Sequence, residues 1–360
     1  MIQSSKLNSQ RLIIAVVLLI TALGLYFRFD RLNRRDLWGD ELTFHNMRWN
    51  GTTRTWDKPL PEVLLDNLKI KQFPGDILLL WPFYRVFGLN KWALAFPRIL
   101  LTILGFYLLY RAGKQYFKTV WGYLIAFLIF SFNNNLIFHA FEIRPYGILV
   151  TLSLASFLMM KSVVEDEVPS LLKRIGISAF IWLTLLFHFY GSFILLFNYS
   201  FHLVAARGRF RGKIILRNVK DYGFGVLLAL PLWLYFTFGF SSSYMNWDPY
   251  EYIPQGVISL FKGVVGNLIG FKPAYVFLPA MIVPFIVPYE ERWQQIQFFL
   301  IFVVIPVGII FAVSVIAHYY FIQRLFVWVM PLFVILLGWV WDSLIIYLTE
   351  KFSPAIKPSR

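Results

Sequence analysis

Long apolar runs separated by short charged gaps constrain this chain more than any other feature of its sequence. Of its 360 residues, 58% are hydrophobic and 15% are charged, whereas a soluble domain is about 25% charged. This balance leaves too little polar surface to cover a water-soluble globule, so a soluble enzyme is excluded.

A membrane-spanning helix needs roughly 20 apolar residues. Ten runs near that length are predicted spans: 12–27, 92–110, 120–133, 145–160, 175–189, 191–206, 222–239, 276–289, 297–317 and 325–347. The predicted fold class is therefore all-α, a polytopic membrane helix bundle of about ten spans.

The distribution of basic residues predicts how these spans are oriented. The formal net charge is +15, and the basic residues fall between apolar runs, which indicates membrane lipid rather than nucleic acid as the partner. Cytoplasmic loops carry an excess of Lys and Arg. Gaps 111–119, 161–174 and 207–221 satisfy this rule when both termini are cytoplasmic, while 240–275 carries only two lysines and is a second external loop. The first run, 12–27, has no small-residue cleavage pattern and is predicted to be an uncleaved helix.

The stretch from 73 to 88 decides the sidedness of every later loop. It is short for a span and contains Asp76 and Arg85, so it is predicted to be interfacial or re-entrant. Residues 28–91 then form one external segment of a single membrane domain, 1–360. Its tryptophans are predicted headgroup-level anchors: Trp38, Trp49, Trp56, Trp81 and Trp92.

The external segment is also rich in acids. Between positions 30 and 76 lie Asp30, Asp36, Asp40, Glu41, Asp57, Glu62, Asp66 and Asp76. Most are interpreted as a solvated loop whose acids pair with Arg28, Arg31, Arg34, Arg35 and Arg48. Asp40 and Glu41 differ because they directly follow Trp38-Gly39, just after the first span. A partly desolvated carboxylate there could act as a general base towards a hydroxyl. Acids in the first turn of a helix explain the pair equally well.

A second group of functional candidates runs from Phe138 to Tyr146 at the predicted external mouth between two spans. Pro145 suits the first turn of the next helix, and Arg144 just before it places a fixed cation at the bilayer surface. Glu142 is either part of a site or simply the ion-pair partner of Arg144.

Taken in order, these motifs resemble a known family. Trp38-Gly39-Asp40-Glu41 is followed by a Pro-containing stretch ending in Phe87-Gly88, then by Ala95-Phe96-Pro97-Arg98 and Glu142-Ile143-Arg144-Pro145-Tyr146. Their order and intervals over residues 12–160 resemble the GT-C glycosyltransferases of the protein O-mannosyltransferase and aminoarabinose-transferase type. Further on, Phe187 to Gly191 and Arg324 with Pro331 resemble later motifs of the family more weakly.

The resemblance implies a GT-C-like fold and a hexosyl- or pentosyltransferase active in cell-envelope glycosylation. Such enzymes take a sugar from a polyprenyl phosphate and transfer it, with inversion, to a lipid, glycan or protein hydroxyl on the external face. The implied location is a bacterial inner membrane with a periplasmic active site. Asp40 would be the catalytic base, and Glu41 would orient the acceptor or hold Asp40. A soluble C-terminal domain is not expected here, so its contribution is absent or comes from a partner protein.

The leaving group of this reaction is a lipid phosphate, which requires fixed positive charge more than a general acid. Arginine grips phosphate through two parallel hydrogen bonds. The predicted donor phosphate-binding residues are Arg98, Arg144, Arg324 and Lys71. Glu142, Tyr146 and His188 are predicted to support them. Arg98 has a structural alternative, which is snorkelling past Trp92 to the interface.

A metal site is not predicted. The chain has no cysteine, which excludes zinc-thiolate sites and cysteine nucleophiles. His45, His139, His188 and His318 map to the external half and could in principle hold a divalent cation with Asp40, but no HxxH or HExxH spacing is present. Where the family often has His or Glu, this chain has Gln72, which is a poor metal ligand.

Two other classes of function remain alternatives. A transporter or flippase of lipid-linked sugars would place charged residues near the membrane midplane, often in two inverted halves. Here the spans from 222 onward hold few acids, and the halves do not resemble each other. A non-catalytic partner subunit would lack a soluble domain and would tolerate the replacement of Asp40 by Asn.

Overall fold

The regular secondary structure in the described part of the chain is entirely helical. The computed structural model describes residues 2–37, 55–69, 73–206, 211–244, 266, 268, 270, 272–316 and 326–352. The α-helices in these ranges are α1 (Ile2–Arg34), α2 (Leu60–Lys69), α3 (Gly75–Phe87), α4 (Lys91–Tyr116), α5 (Val120–Phe132), α6 (Asn134–Ala140), α7 (Tyr146–Glu165), α8 (Leu171–Phe187), α9 (Tyr190–Ala205), α10 (Arg211–Tyr244), α11 (Val283–Ile286), α12 (Arg292–Phe299), α13 (Ile305–Ile316) and α14 (Met330–Phe352). Short 3₁₀ or π-helical segments cover Thr55–Asp57, Lys272–Ile282 and Leu300–Val304.

Six helices in the described ranges are long and apolar enough to cross a membrane: Arg11–Arg34, Lys91–Tyr116, Tyr146–Glu165, Arg211–Phe238, Arg292–Ile309 and Met330–Phe352. Helices α5 and α6 add a seventh if the pair, bent by 58°, is counted as one span. The other three predicted spans correspond to α8 with 17 residues, α9 with 16 residues, and the short apolar helix Tyr275–Ile286. The secondary structure of the described residues is therefore all-helical, with six candidate spans, and the predicted number of ten is not confirmed.

The centre of the bundle is the first half of α14. Every residue from Met330 to Val340 is buried, as expected for a helix that is hydrophobic on all sides. This half-helix packs on α5, while α7 packs between α4 and α9. The outer helices expose large apolar side chains instead, such as Leu19 on α1 at 63% and Leu227 on α10 at 66%. Apolar residues on both the inside and the outside are typical of a bundle surrounded by lipid.

Helices α2 and α3 form a small platform with its own core. Trp56, Val63 and Tyr84 are buried together, and the cluster continues to Leu94 of α4 and Ile143. Trp56 is only 1% exposed and packs edge-on against Tyr84 at 5.5 Å. It is thus a core residue, and its prediction as a headgroup anchor is wrong. With 13 residues, α3 is about 20 Å long, which is less than the ~30 Å thickness of a bilayer core.

Polar side-chain contacts gather at two opposite ends of the bundle. At the end where α4 and α7 begin, Arg98 and Asp76 form an ion pair; we call this the Arg98 end. At the other end, Asp342 of α14 accepts hydrogen bonds from the backbone N–H groups of Lys118 and Thr119, at 2.6 and 3.1 Å; we call this the Asp342 end. The 26 residues of α4 connect the two ends.

Candidate functional site

A buried ion pair anchors the Arg98 end. The side chain of Asn90 caps α4 by accepting hydrogen bonds from the N–H groups of Trp92 and Ala93. This fixes the start of the helix and places Arg98 two turns in. There Arg98 Nη2 donates to Asp76 Oδ1 at 2.7 Å, with side chains 1% and 5% exposed. Removing one partner of a buried pair leaves an uncompensated charge, so this pair fixes the short helix α3 against α4.

A second cluster of buried charges lies between α6 and α7. His139 Nδ1 lies 2.5 Å from Glu142 Oε2, and both side chains are buried. The N–H group of Arg144 donates to the carbonyl oxygen of Glu142 at 2.8 Å. The side chain of Glu142 therefore contacts His139. The sequence pattern predicts Arg144 as its ion-pair partner and does not predict this histidine. Arg98 Nη2 lies 3.5 Å from the carbonyl oxygen of Arg144 and so connects the two clusters.

Aromatic rings pack beside these buried charges. The guanidinium carbon of Arg144 lies 5.7 Å from the centre of the Tyr146 ring, within reach of a cation–π interaction. The Tyr146 ring is 5.4 Å from His139 and 6.0 Å from His188. His188 follows α8, stacks on Phe73 at 6.0 Å and accepts a hydrogen bond at Nδ1 from the Tyr190 N–H at 3.2 Å.

The arginines at the end of α1 surround the same region. Arg35 Nη2 donates to the carbonyl oxygen of Phe141 at 2.9 Å, and the Arg31 guanidinium carbon lies 4.2 Å from the Phe138 ring. Arg34 pairs with Asp30 at 2.8 Å on the surface, as the solvated-loop interpretation predicted.

Arg28 contradicts that interpretation. It is 2% exposed, and its described hydrogen bonds go to the carbonyl oxygens of Gly24, Phe130 and Ser131, at 2.8, 2.9 and 3.0 Å. These carbonyls lie on α1 and in the last turn of α5. Arg28 is therefore a buried cation that binds backbone and not a partner of the loop acids.

The balance of charge at the Arg98 end favours anions. The buried or half-buried cations beside Asp76 and Glu142 are Arg31, Arg35, Arg98 and Arg144, while Arg34 and Lys91 further out pair with Asp30 and Asp36. An excess of fixed positive charge next to low-dielectric walls concentrates anions. Guanidinium groups held in place also suit the recognition of phosphate.

Five of the predicted site residues lie within the described ranges, and the fold brings them to this end: Arg98, Glu142, Arg144, Tyr146 and His188. The remaining four lie outside the described residues: Asp40, Glu41, Lys71 and Arg324. Sequence reasoning did not assign a role to Asp76. The available signal was an acid in the first turn of an otherwise apolar short helix.

No three His, Asp or Glu residues within the described ranges come close enough together to hold a metal ion. His45 and His318, two of the four histidines considered as ligands, lie outside those ranges. The described histidines have other contacts: His139 bonds to Glu142, and His188 lies among aromatic rings.

No protein-family model, curated protein or solved structure matches this chain.

Proposed function

We propose that this chain is an integral-membrane glycosyltransferase that moves a sugar from a polyprenyl phosphate to a hydroxyl acceptor at the Arg98 end. The observation that carries the proposal is the contact between the Arg98 guanidinium and the backbone of Arg144, 46 residues away in sequence. Both arginines lie beside buried carboxylates, those of Asp76 and Glu142. A polyprenyl-phosphate donor supplies the two parts that this end would recognise. Its phosphate matches the excess of arginine, and its prenyl chain matches the apolar outer surface of the bundle.

The proposed reaction is a single displacement at the anomeric carbon. Asp40 removes the proton from the acceptor hydroxyl, and the acceptor oxygen forms a bond to the anomeric carbon. The bond between that carbon and the phosphate oxygen breaks, and its electron pair leaves with the lipid phosphate. Positive charge near this oxygen stabilises the departing anion, so no general acid is needed.

The geometry suggests different tasks for the two described arginines. Arg98 is held by Asp76 and contacts the backbone of Arg144, so it would fix the loop that carries Arg144. Arg144, beside the Tyr146 ring, would contact the phosphate directly. A guanidinium has five N–H donors, so the bond from Arg98 to Asp76 is compatible with a second contact to phosphate. Arg324 and Lys71 are proposed as further phosphate ligands.

The chain leading to the proposed base lies beside the site. Leu37, three residues before Asp40, packs against the platform cluster that contains Ile143. Ile143 lies between Glu142 and Arg144 in sequence. Arg35, in the same segment, donates to the carbonyl oxygen of Phe141, so the chain preceding Asp40-Glu41 lies beside the loop that presents the proposed phosphate ligand.

The proposal includes ten crossings with both termini in the cytoplasm and the Arg98 end on the periplasmic side of a bacterial inner membrane. Helices α8 and α9, with 17 and 16 residues, are near the lower limit of about 17 residues for a span. With these helices as spans, the basic gaps 111–119, 161–174 and 207–221 share one side.

The decisive experiment incubates the purified protein with radiolabelled polyprenyl-phosphate sugars and a mixture of lipid, glycan and peptide acceptors. We expect Asp40→Asn to lower turnover about 10²- to 10⁴-fold, the usual contribution of a general base, while the donor still binds. Arg144→Lys and Arg324→Ala should lower turnover and, unlike Asp40→Asn, should also weaken donor binding. Asp30→Asn is the matched control, since this acid pairs with Arg34 at the surface.

Two outcomes would contradict the proposal. Full turnover by Asp40→Asn would remove the assigned base and favour the partner-subunit alternative. Movement of labelled donor across proteoliposomes without transfer of its sugar would identify a transporter.

A further inference from the structure

A cleft at the Asp342 end has no role in the proposed reaction. Its volume is about 500 Å³, within the range of roughly 300–1,000 Å³ that is usual for small-molecule sites. It opens between the ends of α4, α7 and α9 and the start of α12. The polar residues that line it are Gln115, Tyr116, Lys161, Glu165, His202 and Gln294. Most small-molecule pockets are lined mainly by apolar side chains, so this lining favours a strongly hydrophilic ligand.

Several hydrogen-bonding groups in this cleft are unused. Within the described part of the chain, the amide of Gln294 and the hydroxyl of Tyr116 have no hydrogen-bond partner. The amide oxygen of Gln115 accepts a long bond of 3.3 Å from Lys161 Nζ. His202 Nε2 lies 2.8 Å from the carbonyl oxygen of Phe157, and because a carbonyl only accepts, Nε2 must carry the proton. In a neutral ring, Nδ1 is then an acceptor.

The chemistry of these groups distinguishes between classes of ligand. A phosphate or carboxylate accepts hydrogen bonds only, so its site consists of donors. This cleft combines donors with acceptors: Gln294 and Tyr116 provide both, and His202 Nδ1 accepts. Among the described lining residues the charges also balance, since Lys161 and Glu165 supply one of each sign, one turn apart on α7. A hydroxyl group both donates and accepts, and it matches such a lining without adding charge.

The wall of the cleft is held in place by aromatic packing. The Tyr116 ring lies 4.7 Å from Trp339 and 5.7 Å from Phe157, and Phe157 also packs on His202 at 5.0 Å. An aromatic side chain fixed beside polar groups suits a ligand that combines apolar C–H groups with hydroxyls. We propose that this cleft binds a neutral, hydroxyl-rich small molecule, such as a polyol or a sugar ring, at the end of the bundle opposite the Arg98 site.

The absence of cysteine from the chain allows a direct test. Ala206→Cys places a thiol on the cleft lining. The rate at which maleimide labels this thiol is measured on the detergent-purified full chain, in the presence of glucose, myo-inositol, inorganic phosphate or glycine betaine. We expect glucose or inositol to slow labelling about tenfold at ten times the dissociation constant, since only the unoccupied cleft reacts. Phosphate and betaine should have no effect. Lys213→Cys, exposed at the start of α10, is the accessibility control.

A second pair of variants separates a binding site from general shielding. In the Ala206→Cys background, Gln294→Ala should remove the protection by polyol, whereas Gln297→Ala, on the same helix but outside the lining, should retain it. The proposal is overturned if neither polyol protects, if betaine or phosphate protects as well as the polyols, if Lys213→Cys is slowed equally, or if Gln294→Ala is protected like its parent. Since no residue of the Arg98 end takes part, this result is independent of glycosyltransferase activity.

Discussion

At the residue scale, Arg28 shows how the bundle holds a charge inside a candidate span. On insertion scales a charged residue costs about 2.5–3.5 kcal/mol at the centre of a span and less towards its end, and Arg28 lies in the last third of the candidate span Arg11–Arg34. Here the guanidinium donates to the carbonyls of Phe130 and Ser131 in the last turn of α5, where backbone acceptors lack helical partners and carry partial negative charge. Two rings, Phe106 and Phe130, face it at 5.1 and 5.7 Å. Arg28 thus ties α1 to the end of α5, next to the bend that leads to His139.

Arg28→Lys tests this arrangement. A lysine keeps the charge but cannot reach separate carbonyls through two nitrogens, so at least one charge-assisted bond is lost. We expect a decrease of about 2 kcal/mol in the free energy of unfolding, measured by denaturant titration in mixed micelles. Arg34→Lys on the same helix is the matched control, and as an exposed pair with Asp30 it should change stability by less than about 1 kcal/mol. Equal effects of the two variants would show that the bonds of Arg28 are not specific.

The residues that sequence reasoning identified at the site share one property, which is their position in a local motif. Arg98 and Arg144 each belong to a short run of recognisable residues, so both were predicted. The partners were not, because they are distant in sequence: Asp76 lies 22 residues from Arg98, and Ser131 lies 103 residues from Arg28. Such contacts are decided by how helices pack and not by local pattern.

At the scale of elements, the bend between α5 and α6 determines where the His139–Glu142 pair lies. Asn133 sits at the bend, where its side chain caps α6 and its Nδ2 donates to the carbonyl oxygen of Leu268 at 3.1 Å. The N–H group of Asn134 donates to the carbonyl oxygen of Gly270 at 2.8 Å. Leu268 and Gly270 are therefore bound to the bend through their backbone carbonyls.

Gly270→Ala should weaken this attachment. Gly270 has φ +55°, and a Cβ there would overlap the side chain of Asn133. We expect a loss of about 1–3 kcal/mol in unfolding free energy, the usual size of such backbone strain, together with reduced transferase activity. Gly266→Ala is the control, because its Cβ would meet Tyr275 Oη at 3.4 Å, an ordinary contact. The role assigned to Gly270 is wrong if both variants unfold at the same denaturant concentration.

Three elements meet at Glu291, at the Asp342 end. Lys118 Nζ lies 2.6 Å from Oε1, while Trp339 Nε1 and Ser343 Oγ donate to Oε2 at 2.9 and 3.0 Å. Burial alone would raise the pKa of the Glu291 carboxyl, but the hydrogen bonds from these three groups outweigh it and lower the pKa below its ordinary value of 4.5. The same pair raises the pKa of Lys118 above its ordinary 10.5, chiefly through its hydrogen bond to Glu291.

These pKa shifts predict a pH dependence of stability. Because the pKa of Glu291 is lower in the folded chain, its stabilisation is complete above about 4.5 and is lost as the pH falls through the folded-state pKa. The contribution of Lys118 is lost only as the pH rises above 10.5. We expect Glu291→Gln to be about 1 kcal/mol less stable at pH 7 but less sensitive to acid than the parent. Melting temperatures from pH 3 to 8 provide the measurement, and parallel curves for the two proteins would refute the assignment.

At the scale of the whole molecule, the apolar runs predicted the helices better than they predicted the number of spans. Each predicted span overlaps a described helical segment, because hydrophobic length is a local property. Contacts between segments distant in sequence are not part of that local property: Trp341 Nε1 donates to the carbonyl oxygen of Phe277 in the 3₁₀ segment at 3.1 Å, and Asn133 at the bend of 120–140 donates to the carbonyl oxygen of Leu268. The sidedness of the chain likewise depends on how many segments cross.

Sidedness can be measured with single cysteines in this cysteine-free chain. Val86, 72% exposed near the end of α3, is expected outside, and Val168, 87% exposed between α7 and α8, is expected in the cytoplasm. A membrane-impermeant maleimide should therefore label Val86→Cys in intact cells but Val168→Cys only after permeabilisation. If 73–88 crossed the membrane, Val168 would lie on the outside, together with the basic gap 207–221. External labelling of Val168→Cys would then place the Arg98 end in the cytoplasm, where the proposed periplasmic transfer could not occur.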